Sequence, residues 1–80
     1  MYTMTLKIIS AEKILFEGEA ASVTLPGEMG RFTVLPHHAS IVSTLVSGKI
    51  VYKLDSEEHS VDVAGGIADV DNDVVSVCIY

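Results

Sequence analysis

Apolar and polar residues alternate along almost the whole chain, which is the period of strands with one dry and one wet face. Leu6, Ile8 and Ser10 share one face of a first strand, with Lys7 and Ile9 on the other. Ala11-Glu12-Lys13 reads as a turn, and Ile14 and Phe16 are expected to point inward before Gly18. Val23 and Leu25 alternate with Ser22 and Thr24 up to Pro26-Gly27, and Phe32 and Val34 point inward from a strand that stops at Pro36. Ile41 to Val46 is an apolar run closed by Ser47-Gly48.

The second half is a clearer meander. Ile50, Tyr52 and Leu54 alternate with Lys49, Val51 and Lys53, Asp55-Ser56-Glu57-Glu58 makes a hairpin turn, and Val61 and Val63 return antiparallel. Gly65-Gly66 punctuates, Ile67 to Val70 forms a short strand, and Asp71-Asn72-Asp73 makes a tight turn into Val75, Val77 and Ile79. Asp and Asn suit that turn because they tolerate the left-handed region and hydrogen-bond their own backbone. No window carries the period of an amphipathic helix. The expected fold is therefore all-β: a β-sandwich or flattened barrel of about eight to ten short, mostly antiparallel strands, with residues 1–80 as one domain.

Composition changes this picture in one respect. Hydrophobic residues make up 49% of the 80, whereas so short a chain buries only about 60–65% of the surface it exposes when unfolded. The apolar excess either fills the interior or is left for a partner. The formal charge of −6, with only five scattered basic residues, argues against nucleic acid, whose phosphates require clustered Lys and Arg. Cys78 has no second cysteine to pair with, which fits a reducing compartment. The longest uncharged stretch, Phe32 to Gly48, is broken by Pro36 and two histidines, and Met-Tyr-Thr-Met-Thr lacks the basic and apolar regions of a signal peptide,.

Candidate chemistry is sparse. His37 and His38 are adjacent, so on a strand they point to opposite faces and do not readily chelate one metal; His59 is remote in sequence,. Cys78 lies mid-strand among Val and Ile, where a buried, inert thiol is expected,. The serines lack a Gly-x-Ser-x-Gly setting,. Gly27-Glu28-Met29-Gly30 precedes a strand, whereas a phosphate cradle needs a helix N-terminus,. What stands out is the run from Leu25 to Ala39, a loop with an exposed Met between two glycines followed by a strand ending in Pro-His-His. A mobile thioether beside mixed charges suits a protein contact.

Ser10-Ala11-Glu12-Lys13 with Leu15-Phe16-Glu17-Gly18-Glu19, then Pro26-Gly27-Glu28-Met29-Gly30-Arg31-Phe32, Val34-Leu35-Pro36 and His38-Ala39, follow one another in order. Ser47-Gly48, Val63-Ala64-Gly65-Gly66, Asp69-Val70 and Asn72-Asp73-Val74-Val75-Ser76-Val77 complete the series. This order resembles the N-terminal β-sandwich of the epsilon subunits of F-type ATP synthases over essentially the whole chain. Thr33 and His37 stand where that family usually has glycine, Ser40 where it has proline, Ile67 replaces an aromatic and Asp69 a glutamate.

The resemblance implies a non-catalytic rotor part of the central stalk, bound to the gamma subunit and resting on the c ring, coupling proton flow to ATP synthesis. It assigns Glu28, Met29, Gly30 and Arg31 to the c ring, with Arg31 standing where some relatives carry an acid, and Ser10, His38 and Ser43 to gamma. The apolar excess would then serve the gamma interface. No cofactor, metal, nucleic acid or small-molecule substrate is expected, membrane contact runs only through the c ring, and the expected location is the cytoplasmic side of a bacterial inner membrane. Ending at Tyr80, the chain is also expected to lack the helical hairpin with which the family restrains ATP hydrolysis. Two other readings of the residues are an unrelated β-sandwich adaptor or ligand-binding module, and a small enzyme using His37, His38 or His59.

Overall fold

The computed structural model describes residues 2–80 and carries nine strands with no helix among them. They are β1 (Met4–Ile9), β2 (Ile14–Ala20), β3 (Ser22–Gly27), β4 (Gly30–Val34), β5 (Ile41–Leu45), β6 (Gly48–Leu54), β7 (Glu57–Val63), β8 (Gly66–Asp71) and β9 (Val74–Ile79). Hydrogen bonding runs in the order β2-β1-β9-β8-β5-β3-β6-β7, with β4 on β3. Every pairing is antiparallel except one: β1 lies parallel to β9. The sheet folds on itself where β5 meets β3, at the single register pair Gly27–Leu45.

The predicted alternation is what fills the core. Leu6 and Ile8 of β1, Val23 and Leu25 of β3, Ile50 and Tyr52 of β6, and Val75 and Val77 of β9 are buried together. Fully burying one such aliphatic side chain contributes about 1.5–3 kcal/mol, and among the described residues no polar or charged side chain is buried with them. Phe16 and Tyr52 close the open side at 4.4 Å between ring centroids, joining β2 to β6 across the interior.

Two expectations of burial need correction. Ile14 is 56% exposed, because the register of β1 with β2 shifts between Ile8 and Ile9 and turns the start of β2 outward. Cys78 is exposed, because it stands opposite Ile67 and Ile9 on the outer side of β9 while Val75 and Val77 take the inner positions. His37 and His38 lie in the turn and crossover that follow β4, the setting expected after Pro36. Asp55-Ser56 suffices for the hairpin between β6 and β7, since Glu57 already pairs with Leu54.

Candidate docking surfaces

The β3–β4 hairpin is held rigid at its base and bare at its tip. Gly27 pairs with Gly30, leaving Glu28 and Met29 as the loop. A side chain at Gly27 would meet the Gly30 carbonyl oxygen at 2.7 Å and the Phe32 ring at 2.8 Å. Only glycine lets the two strands and the Phe32 ring approach so closely. The tip is then tied to β5, as Glu28 N–H donates to Thr44 O and Val46 N–H to Pro26 O, each at 2.9 Å. Met29 projects from this clamped base 98% exposed. Arg31 follows on the outer face, its guanidinium donating to Lys49 O at 3.1 Å. Glu28, Met29, Gly30 and Arg31 therefore form one exposed, well-supported surface.

Ser10, His38 and Ser43 are not gathered in the same way. Ser10 ends β1 and closes a local turn, with Ser10 N–H donating to Lys13 O at 2.9 Å. Ser43 is half-buried on β5, opposite Ala68 of β8. His38 lies in the crossover from β4 to β5, beside the opposite end of β1 from Ser10: Thr5 N–H donates to Asp73 O, and Asp73 contacts the crossover through His37. Six residues of strand separate those ends, about 20 Å at 3.3 Å per residue. The three thus lie on different parts of the fold: Ser10 just after β1, His38 in the crossover before β5, and Ser43 within β5.

His38 has a defined ring state. Its Nδ1 lies 2.6 Å from Ala39 O, and a carbonyl only accepts, so Nδ1 carries the hydrogen and donates. Leu35, Ile41 and Val42 are exposed around the crossover, Val42 by 70%. Sequence reasoning identified His38 and Ser43 but not these apolar neighbours, whose signal was the length of the run Ile41 to Val46.

A second apolar feature crosses the outer face of the layer formed by β2, β1, β9, β8 and β5. Thr44, Ile67, Cys78, Ile9 and Ile14 are successive register partners, a row about 19 Å long at strand spacing. Ile67 is 49% exposed. Asp69, Lys7 and Glu17 occupy the next row, so the stripe has a charged border. The surplus of hydrophobic residues is thus partly spent outside the core.

Comparison with known proteins gives this architecture its family. Residues 3–79 match the model of the ATP synthase, Delta/Epsilon chain, beta-sandwich domain. The chain belongs to that family. It is 40% identical over 78 residues to the ATP synthase epsilon chain of Bordetella petrii, covering 96% of this chain and 55% of the relative. The epsilon chain of Leptospira borgpetersenii is 36% identical, covering 95% and 60%. The chain thus spans little more than half the length of these curated relatives.

Among solved structures, a chain of the Euglena gracilis mitochondrial ATP synthase (OSCP/F1/c-ring) superposes with a TM-score of 0.90 at 20% identity, covering 96% of this chain and 50% of that one. A chain of the Tetrahymena thermophila mitochondrial ATP synthase central stalk and c-ring superposes with a TM-score of 0.80 at 9% identity, covering 96% and 63%. At those identities the likeness is one of fold. Membership in the delta/epsilon family removes the reading of an unrelated β-sandwich adaptor.

Proposed function

We propose that this chain is a non-catalytic central-stalk component of an F-type ATP synthase, with two docking surfaces. The β3–β4 tip, Glu28 to Arg31, rests on the c ring, and the crossover with His38, Ser43, Ile41 and Val42 binds gamma. Ser10 flanks the apolar row at Ile9 and extends the gamma contact to the far end of that layer. The observation that carries the reading is the 40% identity to an epsilon chain across nearly the whole chain. The bare tip on a clamped base supports it, because a rotor part must transmit torque without yielding.

The division of labour follows from surface chemistry. An interface core is apolar with a polar rim, and the segment that carries His38 and Ser43 also carries the exposed apolar side chains Ile41 and Val42. The tip instead mixes a thioether with a carboxylate and a guanidinium, which suits polar ring loops. Such a part sits peripherally at the membrane through the ring, on the cytoplasmic side in a bacterium. Calorimetric titration of the chain into purified gamma subunit tests the reading. Saturable binding at micromolar concentration or tighter is expected; no heat of binding at tens of micromolar overturns it.

A further inference from the structure

The crossover from β4 to β5 is held from outside itself, by the turn between β8 and β9. Asn72 and Asp73 form that two-residue turn, both in the left-handed region at φ 52° and 62°, flanked by the register pair Asp71–Val74. This is the primed turn that matches strand twist. The carboxylates of Asp71 and Asp73 both reach across to the crossover. Asp73 Oδ1 accepts His37 N–H at 2.6 Å, and Asp71 Oδ1 accepts Ser40 Oγ–H at 2.6 Å. Asp73 Oδ2 also lies 3.6 Å from His37 Nδ1.

His37 needs that support. Its φ is +68°, a conformation that costs a side-chain-bearing residue about 1 kcal/mol or more relative to glycine. Within the crossover itself, one backbone bond closes the turn around it, His38 N–H to Leu35 O at 3.1 Å. A hydrogen bond to a carboxylate is stronger than one between neutral groups, so the Asp73 contact offsets the cost of the left-handed residue. Between the two segments lies an open cleft of about 500 Å³ lined by residues 37–40 and 71–73, so side chains do not pack between them; outside the cleft the Tyr2 ring meets the His37 ring edge-on at 4.9 Å between centroids.

From this geometry we infer that Asp73 is a positioning residue: it latches His37 in its left-handed conformation and thereby fixes how His38 is presented to the partner surface. Asp71 supplies the second tie through Ser40. The latch itself is a property of the isolated chain; its bearing on docking rests on the reading that His38 faces gamma.

Two substitutions separate the carboxylate from the turn. Asp73→Gly removes the acceptor but accepts φ 62° freely, whereas Asp73→Asn keeps both an acceptor oxygen and tolerance of that φ. Amide hydrogen exchange is read at His38, whose N–H closes the crossover turn, with Val75 and Val77 as internal controls. Exchange at His38 is expected to rise about tenfold in Asp73→Gly, to stay within about threefold of wild type in Asp73→Asn, and to leave the β9 controls unchanged. Equal protection of His38 in wild type and Asp73→Gly overturns the latch. So does equal loss in both variants, which would mean that the turn rather than the acceptor holds the crossover. Titration of the variants against purified gamma decides the dependent reading: faster exchange with weakened binding supports both, and faster exchange with unchanged binding keeps the latch while removing the crossover from the interface.

Discussion

Gly27 and Leu45 are the only register partners between β3 and β5, so one residue pair joins the two layers of the sheet. Leu45 is buried there at 3% exposure. Two backbone bonds flank it, from Glu28 to Thr44 and from Val46 to Pro26, and together they set the direction in which the β3–β4 tip projects. A side chain at Gly27 collides with backbone on one side and the Phe32 ring on the other. Gly27→Ala is therefore expected to cost about 1–3 kcal/mol, lowering the thermal midpoint by at least about 5 °C. Thermal denaturation followed by circular dichroism checks this; an unchanged midpoint would show that the corner has room to relax.

Met29 makes the opposite case. At 98% exposure it touches too little to stabilise the fold. Met29→Asp should leave the thermal midpoint within about 2 °C while weakening attachment to the c ring in the assembled enzyme. Normal proton-driven ATP synthesis by an enzyme carrying the variant would remove Met29 from that contact.

His38 contributes one local hydrogen bond, to the neighbouring Ala39 carbonyl. His38→Ala is expected to weaken gamma binding about tenfold or more, as loss of a central interface residue does, with the isolated fold intact. Unchanged affinity in a titration against gamma would remove His38 from the interface.

Cys78 reports on the outer apolar row. Because the thiol is exposed, the native chain should react with one equivalent of a thiol-specific disulfide reagent without denaturant. Reaction only after unfolding would contradict the outward setting of Cys78. Slower labelling in the presence of gamma would mean that the row from Thr44 to Ile14 is covered in the complex.

Alternation was enough to locate the strands, because inward positions such as Leu6, Ile8, Val75 and Val77 must repeat every second residue to meet in one core,. Ile14 was misjudged because the register shift between Ile8 and Ile9 breaks the alternation at the start of β2, and Cys78 because its neighbours in sequence are apolar although its place is on the outer side of β9, opposite Ile67 and Ile9. Apart from the β6–β7 hairpin, which its short turn made legible, pairing partners were not, since a period of two says which face a residue takes but not which strand lies beside it. The parallel pair of β1 and β9 is the clearest instance. The tip from Glu28 to Arg31 was legible through its two glycines. The hold on the crossover was not: His37 standing where the family usually has glycine marks the left-handed position, but nothing in sequence marks its carboxylate partner 36 residues away.

The parallel pair has a consequence for how the molecule comes into being. β1 lies between β2 and β9, so the strand made first among the nine lacks one of its two neighbours until the ninth has been made. Val75 and Val77 must arrive before Leu6 and Ile8 are sealed from water. Contacts this remote in sequence slow folding through the entropy of closing a long loop. The β6–β7 hairpin can form early, but the layer that carries the apolar row is completed only once β9 has been made. Until then its hydrophobic edge stands open to other nascent chains.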